Sequence, residues 1–256
     1  MFSRLFNRRK KEDPAYDLAV PENADWSFLG TDMHSHFLPG IDDGAKTIED
    51  SIALLRAMMD MGYKNIITTP HVMIDFHPNT TQTILAALDK VKAALLEQNI
   101  DLPIKAAAEY YIDEHFMHLL ETEPLLTVNK NEVLVEFSMM YEPPMLNQAF
   151  FSMQKAGYRP ILAHPERYLS MHKNLDRYSD MKDRGCLLQL NMLSITGYYG
   201  GNIKSVAEQL LNKGLYAYCG SDAHHEKHTS VLKAMTRHKD YSKFLGYPFL
   251  NSKLLG

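Results

Sequence analysis

The chain has 256 residues, of which 45% are hydrophobic, so it can form one large domain or two small ones with a sizeable core. Its net charge of −4 gives no basis for binding nucleic acid, and its two cysteines, Cys186 and Cys219, lie in separate apolar runs that do not suggest a disulfide framework. No apolar run reaches the roughly 20 residues that cross a bilayer, and the N-terminus lacks the apolar segment of a signal peptide, so the sequence predicts a soluble, cytoplasmic protein.

Residues 1–28 are predicted to be a basic tail and linker, followed by one folded domain over residues 29–256. The first eleven residues contain no acid and five cations: Arg4, Arg8, Arg9, Lys10 and Lys11. Phe2, Leu5 and Phe6 alternate with them, so a short helix here would have one apolar and one basic face. Two interpretations stay open, a disordered basic tail and a weak peripheral contact of residues 1–12 with the inner face of the membrane.

From residue 29 onward, short apolar runs that predict β-strands alternate with amphipathic helical segments. Seven strands are predicted, at residues 29–33, 65–69, 104–108, 132–137, 160–163, 186–190 and 215–219. Helices are predicted after the N-cap Thr47 and over about 82–98, 145–156, 174–184 and 203–213, with Gly157 and Gly214 at two C-termini. This alternation predicts parallel strands and, at this length, a closed or nearly closed single-domain α/β barrel.

Most predicted strands are followed by a His, Asp or Glu side chain, and in a parallel barrel these strand ends meet at one rim. Nine of these residues are candidate metal ligands: His34, His36, Asp43, His71, Glu109, Glu136, His164, Asp222 and His224. A lone His-x-His or a lone Glu is often structural, but several buried acids at one rim cost several kcal/mol each unless cations compensate them. Their coincidence therefore predicts a metal centre.

The ligand types indicate which metals and which chemistry to expect. Imidazole and carboxylate without cysteine suit Mn²⁺, Fe²⁺ or Zn²⁺, and nine ligands are enough for three divalent ions. Such clusters hold a hydroxide that attacks phosphorus and clamp phosphoryl oxygens, which predicts phosphate-ester hydrolysis. Arg167, three residues after His164, is predicted to bind the phosphate, although it could also be an ordinary surface arginine.

At these motifs the sequence resembles the polymerase-and-histidinol-phosphatase (PHP) superfamily, and within it the bacterial tyrosine-protein phosphatases encoded with capsule and exopolysaccharide genes. The resemblance extends from residue 31 to about residue 234 and rests on seven motifs: Asp32-Met33-His34-Ser35-His36, Ile41-Asp42-Asp43-Gly44, Thr69-Pro70-His71, Ala108-Glu109-Tyr110-Tyr111, Glu136-Phe137-Ser138, Ala163-His164-Pro165-Glu166-Arg167 and Ser221-Asp222-Ala223-His224. It implies a distorted seven-stranded, TIM-like (β/α)7 barrel with a trinuclear site that is often manganese-dependent. The implied substrate is phosphotyrosine on a protein, in such systems a membrane-bound tyrosine kinase.

The resemblance also assigns the ligands to individual ions. It implies a first ion held by His34, His36, Glu109 and Asp222. Glu109 would bridge to a second ion, completed by Glu136 and His164. The third ion would be held by Asp43, His71 and His224. Arg167 would bind the substrate phosphate, and Arg167, Glu109 and His164 are the predicted catalytic residues.

One stretch departs from the pattern of these phosphatases. Relatives from Gram-positive capsule systems carry basic residues directly after the histidine that follows the second strand. Here residues 72–77 read Val-Met-Ile-Asp-Phe-His, which is apolar and acidic. The difference predicts that the substrate docks beside the site in a different way.

Three other functions are alternatives to phosphotyrosine hydrolysis. A small-molecule phosphatase of the same superfamily, such as one acting on histidinol phosphate, would have the same ligands and stays open. An amidohydrolase or deaminase would usually carry a Lys on strand four and a His on strand six, where this chain has Glu136 and Asn191. A non-catalytic docking protein that binds a kinase tail is expected to have lost ligands, and none is missing.

Overall fold

The structure, a computed structural model, describes residues 19–254 and is an α/β fold with parallel strands. Its strands are β1 Thr31–Asp32, β2 Asn65–Thr68, β3 His71–Val72, β4 Ile104–Ala106, β5 Glu109–Tyr111, β6 Glu132–Glu136, β7 Arg159–Ala163, β8 Leu187–Asn191 and β9 Tyr218–Gly220. They form a three-stranded sheet of order β1-β2-β4 and a six-stranded sheet of order β3-β5-β6-β7-β8-β9. Every strand pair is parallel, as the alternation of strands and helices predicts.

The strand count differs from the seven that the sequence predicts. Thr69 and Pro70 separate β2 from β3, and Ala107 and Ala108 separate β4 from β5. Pro70 has no N–H group to donate to a neighbouring strand, which explains the first interruption. The Ala107 N–H donates to the Thr68 carbonyl at 2.9 Å and the Glu109 N–H to the Pro70 carbonyl at 3.1 Å, so hydrogen bonds continue across both gaps.

The first and last strands also come together beyond their carboxyl ends. Ser35 and Ala223 form an isolated parallel bridge. The Asp222 N–H donates to the His34 carbonyl at 2.8 Å, and the His36 N–H donates to the Ala223 carbonyl at 3.0 Å. These bonds place the segment after β1 directly beside the segment after β9.

Within residues 19–254, seven α-helices lie between the strands and an eighth follows β9: α1 Ile48–Asp60, α2 Thr81–Glu97, α3 Glu114–Thr122, α4 Leu146–Lys155, α5 Asp176–Asp183, α6 Met192–Thr196, α7 Gly201–Asn212 and α8 Glu226–Met235. The predicted N-cap is confirmed, because the Thr47 hydroxyl accepts from the Asp50 N–H and the Asp50 carboxylate accepts from the Thr47 N–H. Gly157 and Gly214 follow α4 and α7 with φ of +87° and +66°, as their predicted C-terminal positions require. The sequence did not predict α3, α6 and α8.

The core has two parts that follow from the alternation of side chains along the strands. The larger part packs helices against the outer face of the strands. The smaller part takes residues from nearly all strands or their ends, among them Ile67, Leu134, Ile161 and Leu187. Because strand side chains alternate with a period of two, Glu136 lies on the same face as Leu134, two residues closer to the rim.

The segment before β1 belongs partly to the packed domain. Trp26 is completely buried, its indole Nε1 donates to the Leu232 carbonyl at 3.2 Å, and its ring meets Tyr241 and Phe244 edge-on. The packed part of the chain therefore starts before the predicted boundary at residue 29. The basic segment of residues 1–12 lies outside the described residues. Within residues 19–254, no helix combines the length and the apolar character needed to cross a membrane.

Candidate metal centre

All nine predicted ligands lie together at the carboxyl ends of the strands. They form four groups whose ligand atoms lie within 4.8 Å of one another: His36 with Asp43, His71 and His224; His34 with His36 and Asp222; His34 with Glu109 and His164; and His71 with Glu109 and Glu136. Asp43 comes from the loop after β1, and the other eight come from strand ends or the residues just beyond them. The fold therefore brings together residues that are up to 190 positions apart in sequence, His34 and His224, as expected for side chains at the ends of parallel strands.

Glu109 lies at the middle of these groups and is completely buried. Its Oε2 lies 3.2 Å from His34 Nε2, 3.5 Å from His36 Nε2 and 3.2 Å from His71 Nδ1. Its Oε1 lies 3.1 Å from His164 Nε2. Burial alone would raise the pKa of the Glu109 carboxyl, but the surrounding imidazoles hold it well below its usual range. A single carboxylate thus faces ligands of more than one group, which is the geometry expected of a bridging ligand.

Asp222, just beyond the end of β9, faces two of the same imidazoles, those of His34 and His36. Its Oδ1 lies 3.3 Å from His34 Nε2 and 3.3 Å from His36 Nε2. Its Oδ2 accepts hydrogen bonds from Arg167 Nη1 at 2.9 Å and from Asn191 Nδ2 at 2.7 Å. Burial opposes ionisation of Asp222, yet His34, His36 and the Arg167 guanidinium together hold its pKa well below the usual range. One carboxylate oxygen therefore faces the histidines and the other faces the arginine.

The third group opens toward solvent. Asp43 Oδ1 lies 3.5 Å from His71 Nε2 and 3.3 Å from His224 Nε2, and its side chain is 58% exposed. The hydrogen bond from His224 lowers the pKa of Asp43 more than its partial burial raises it. The ring of His36 stacks on that of His224 with centroids 3.9 Å apart. This side of the centre is exposed to solvent.

Two buried histidine nitrogens without hydrogen-bond partners indicate whether these residues fit metal ions. The Nδ1 atoms of His71 and His164 are buried and have no hydrogen-bond partner in the described structure. His71 Nδ1 lies 3.2 Å from a Glu109 oxygen and 3.1 Å from a Glu136 oxygen. Buried polar atoms without partners are rare in folded proteins, and a nitrogen facing two carboxylates is a suitable donor set for a divalent cation. The residues present fit a metal centre.

Further polar side chains hold the candidate ligands in orientation. Asp42 Oδ2 lies 2.8 Å from His36 Nδ1, and Gln189 Oε1 lies 2.9 Å from His34 Nδ1. Contacts of this kind fix the ring and the tautomer of a metal-binding histidine. The sequence placed Asp42 at the rim without giving it a role and missed Gln189. A signal for Gln189 existed, because it is a polar residue between two leucines, inside a strand whose five residues are all buried.

The backbone is strained at two candidate ligands. His164 and Asp222 have φ of +32° and +48°, in the left-handed region that residues other than glycine seldom adopt. They account for two of the four such residues in the described chain. Strain of this kind persists only where the surroundings enforce it, and it is concentrated at functional sites. Here it turns both side chains into the centre just beyond β7 and β9.

Arg167 lies at the edge of the centre, as its predicted role requires. Besides its bond to Asp222, its guanidinium lies over the Tyr199 ring, 4.5 Å from the centroid. Neighbouring Glu166 is completely buried and accepts hydrogen bonds from the Asn191 N–H at 2.9 Å and the Tyr216 hydroxyl at 3.0 Å. These bonds anchor the 3₁₀ turn Pro165–Arg167 to β8 and so fix the base of the arginine. Glu166 lies in one of the sequence motifs and Asn191 at the end of predicted strand six, but the sequence assigned neither of them this role.

Comparison with known proteins gives consistent matches. Residues 30–239 match the family model of capsular polysaccharide synthesis, CpsB/CapC. The chain is 31% identical to the tyrosine-protein phosphatase YwqE of Bacillus subtilis, over 77% of this chain and 78% of the relative. It is 29% identical to the tyrosine-protein phosphatase CpsB of Streptococcus pneumoniae, over 75% and 82% of the two chains.

A solved structure agrees with these sequence matches. It comes from work on YwqE of Bacillus subtilis and CpsB of Streptococcus pneumoniae, which are described there as metal-dependent tyrosine phosphatases. The TM-score is 0.73 at 28% identity, and the match covers 86% of this chain and 95% of the other. The likeness therefore extends over most of the chain.

Proposed function

The chain belongs to the CpsB/CapC family of capsular polysaccharide synthesis, and we propose that it is a metal-dependent protein-tyrosine phosphatase, a phosphoric monoester hydrolase. The observation that carries this proposal is the group of nine His, Asp and Glu side chains around the buried Glu109, with Arg167 at its edge. The relatives named as tyrosine-protein phosphatases support the same activity. The proposed substrate is phosphotyrosine on a membrane-bound tyrosine kinase of capsule or exopolysaccharide synthesis.

The centre is proposed to hold three divalent ions, with Mn²⁺ preferred and Fe²⁺ or Zn²⁺ as alternatives. The proposed ligands are His34, His36, Glu109 and Asp222 for one ion, Glu109, Glu136 and His164 for the second, and Asp43, His71 and His224 for the third. Bound ions of this kind lower the pKa of water and neutralise the charge of the phosphoryl group. Two of the four groups support the first and third sets, because His34, His36 and Asp222 lie together, as do Asp43, His71 and His224. Glu109 lies in one group with His164 and in another with Glu136, which supports the second set.

The protein's own side chains are proposed to position the substrate. Arg167 presents a planar set of N–H donors that matches two phosphoryl oxygens, and only Nη1 donates to another side chain, Asp222, within the described residues. Tyr199 supports the guanidinium from one face. Asp42 and Gln189 keep His36 and His34 from rotating while the substrate is bound.

Metal analysis combined with a substrate comparison tests this proposal. Protein purified with Mn²⁺, Fe²⁺ or Zn²⁺ is assayed for bound metal and for turnover of phosphotyrosine peptides, phosphoserine peptides and histidinol phosphate. We expect more than one ion per chain and the highest kcat/KM on phosphotyrosine peptides. A higher kcat/KM on histidinol phosphate would support the small-molecule phosphatase instead, and metal binding without turnover would support a docking protein.

Replacing Glu109 tests the bridging assignment separately. Glu109→Ala is expected to lower the metal content by more than one ion and to abolish hydrolysis, because the carboxylate faces ligands of two groups. Glu109 belongs to neither part of the apolar core, so circular dichroism is expected to show a retained fold. Full metal occupancy in this variant would exclude a bridging role.

We also propose that the strands make up a distorted seven-stranded barrel. β2 with β3 and β4 with β5 would each count as one interrupted strand. The hydrogen bonds across both gaps and the bridge between Ser35 and Ala223 support this interpretation.

For the location, we propose a cytoplasmic protein with weak peripheral contact through residues 1–12. Cationic side chains near an anionic surface contribute about 1 kcal/mol each at most, so binding would be reversible and would weaken as salt rises. Deleting residues 1–12 is expected to abolish sedimentation with phosphatidylserine vesicles while turnover of a short phosphopeptide stays the same. Failure of the full chain to bind such vesicles at low salt would show a tail without membrane contact.

A further inference from the structure

Large apolar side chains are exposed beside the metal centre. The described chain exposes nine large hydrophobic residues, and five of them follow β3, β6 or β7 at the same end of the sheet as the centre: Ile74, Phe76, Met140, Tyr141 and Leu169. These five are called the apolar rim below. The other four lie elsewhere: Phe28 before β1, Leu85 and Leu96 on α2, and Phe151 on α4. Clustered exposure of this kind marks binding surfaces, whereas single exposed residues need no explanation.

The first part of the apolar rim is a closed turn that is packed against the centre. Met73 and His77 exchange backbone hydrogen bonds of 3.0 and 2.7 Å, which leaves residues 74–76 at the tip. The His77 ring stacks on the ring of His71 with centroids 5.4 Å apart. The turn is therefore fixed close to the proposed ligand His71. Phe76 is nevertheless 71% exposed in this turn.

The second part of the apolar rim comes from the segments after β6 and β7. The Leu169 N–H donates to the Met139 carbonyl at 2.9 Å, which joins the two segments next to Met140. Burial and, after it, the neighbouring phenol of Tyr141 raise the pKa of Tyr111, so the two side chains lie close together. Tyr111 in turn pairs in register with the proposed ligand Glu136. These contacts fix Met140 and Tyr141 on the side of the centre where Glu136 lies.

Sheet order makes the two parts neighbours. Strands β3, β5, β6 and β7 are adjacent in that order, so the segments that follow them line one continuous arc of the rim. The charges differ along this arc: Asp75 is exposed at the tip of the first turn and Glu142 is paired with Arg177, whereas the segment after β7 carries Arg167 and the exposed Lys173. A substrate whose phosphate reaches the centre from this side lays its neighbouring residues over this rim. Apolar neighbours gain from such contact, and acidic neighbours are repelled by Asp75.

We propose that the apolar rim binds the residues that flank the phosphotyrosine of a protein substrate, and that it favours flanks with large apolar or aromatic side chains over small or acidic ones. This inference rests on the proposed phosphatase function and names the class of peptide that the same site selects. It also gives a role to the apolar stretch of residues 72–77, which contains none of the nine proposed ligands.

Flank preference and a matched exposed phenylalanine provide the test. Three phosphotyrosine peptides of equal length carry Leu and Phe flanks, Gly and Ser flanks, or Asp and Glu flanks. Each kcat/KM is divided by that of p-nitrophenyl phosphate for the same variant, which corrects for any disturbance of the centre. The variants are Phe76→Ser and Tyr141→Ser, and the control is Phe151→Ser, because Phe151 is 67% exposed but lies outside the apolar rim.

We expect the wild type to prefer the apolar flanks over the Gly and Ser flanks by about tenfold, which corresponds to about 1.4 kcal/mol. Phe76→Ser and Tyr141→Ser are each expected to reduce this ratio at least threefold, mainly through KM, and Phe151→Ser to leave it unchanged. Equal rates on all three peptides in the wild type would overturn the inference, as would an equal loss in Phe151→Ser. No turnover of p-nitrophenyl phosphate or of any peptide would instead contradict the phosphatase function itself.

Discussion

Gly44 offers a sharp test of how the candidate metal centre is held together. A Cβ atom on this residue would lie 2.0 Å from the His36 carbonyl oxygen and 2.5 Å from the His36 Cβ. His36 cannot easily withdraw, because its N–H donates to the Ala223 carbonyl and its own carbonyl accepts from the Ala45 N–H, both at 3.0 Å. Gly44→Ala must therefore displace a proposed ligand or break one of these bonds.

The size of the displacement sets the expected effect. Ordinary contacts begin near 3.4 Å, so the carbonyl and the methyl group must separate by about 1 Å or more. A misplacement of about 1 Å in an active site can cost about a hundredfold in rate. Overpacking of this kind also destabilises a fold by about 1–3 kcal/mol. We expect Gly44→Ala to lower kcat/KM about a hundredfold, to reduce bound metal and to lower Tm by several degrees.

Gly201→Ala is the matched control for this experiment. Gly201 begins α7, and a Cβ there meets nothing within 4 Å. Because alanine favours helix over glycine, we expect this variant to keep its activity and its metal and to be at least as stable as the wild type. Metal content by mass spectrometry, kcat/KM on a phosphotyrosine peptide and Tm are compared for the two variants. Normal metal content and normal kcat/KM in Gly44→Ala would refute the proposed role of His36.

Three further predictions concern the arginine and the charges of the centre. Arg167→Lys keeps the charge but loses the planar pair of donors, so kcat/KM should fall at least tenfold with unchanged metal content; wild-type kinetics would exclude a phosphate-binding role. Tyr199→Ala removes the ring under the guanidinium and should lower kcat/KM by about three- to thirtyfold, whereas Tyr199→Phe should stay near wild type; equal losses would exclude the stacking contact. In the metal-free protein, burial and the charge of His36 lower the pKa of His71, but Glu136 and Glu109 raise it overall to about 9 from 6.5. Its stabilising contribution is complete below about pH 6.5 and disappears as the pH rises toward 9, so Tm of the chelator-treated protein should fall over that range, and a Tm that rises instead would contradict it.

Much of the centre could be predicted from sequence because its ligands obey a local rule. Most ligands lie at the end of an apolar strand or just beyond it, and parallel strands bring their carboxyl ends together regardless of their distance along the chain. From this rule alone, His34, His71 and Asp222 could be predicted to lie close together, without any information on tertiary structure. The helix after Thr47 was predictable for a similar reason, since its capping box is complete within four residues.

The remaining features depend on contacts between distant residues. The alternation of apolar residues does not reveal where Pro70 interrupts the second strand or that Glu109 begins a new strand. The role of Gln189 depends on its distance to His34, which is 155 positions away in the sequence. Trp26 falls within the predicted linker of residues 1–28, although its indole packs on two aromatic rings from the far end of the chain.

The fold tolerates a polar and strained rim because each strand carries its apolar packing residues before its end and its polar residues at the end. On β6, Leu134 is buried in the interior core, while Glu136, two residues later, faces the imidazole of His71. The apolar contacts that stabilise the strands are thus complete before the polar residues begin, and losing a ligand does not open a cavity in the core. The positive φ values of His164 and Asp222 also fall beyond the last paired residues of β7 and β9, so their strain does not break a strand pair. The ligands are therefore free to be selected for binding rather than for packing.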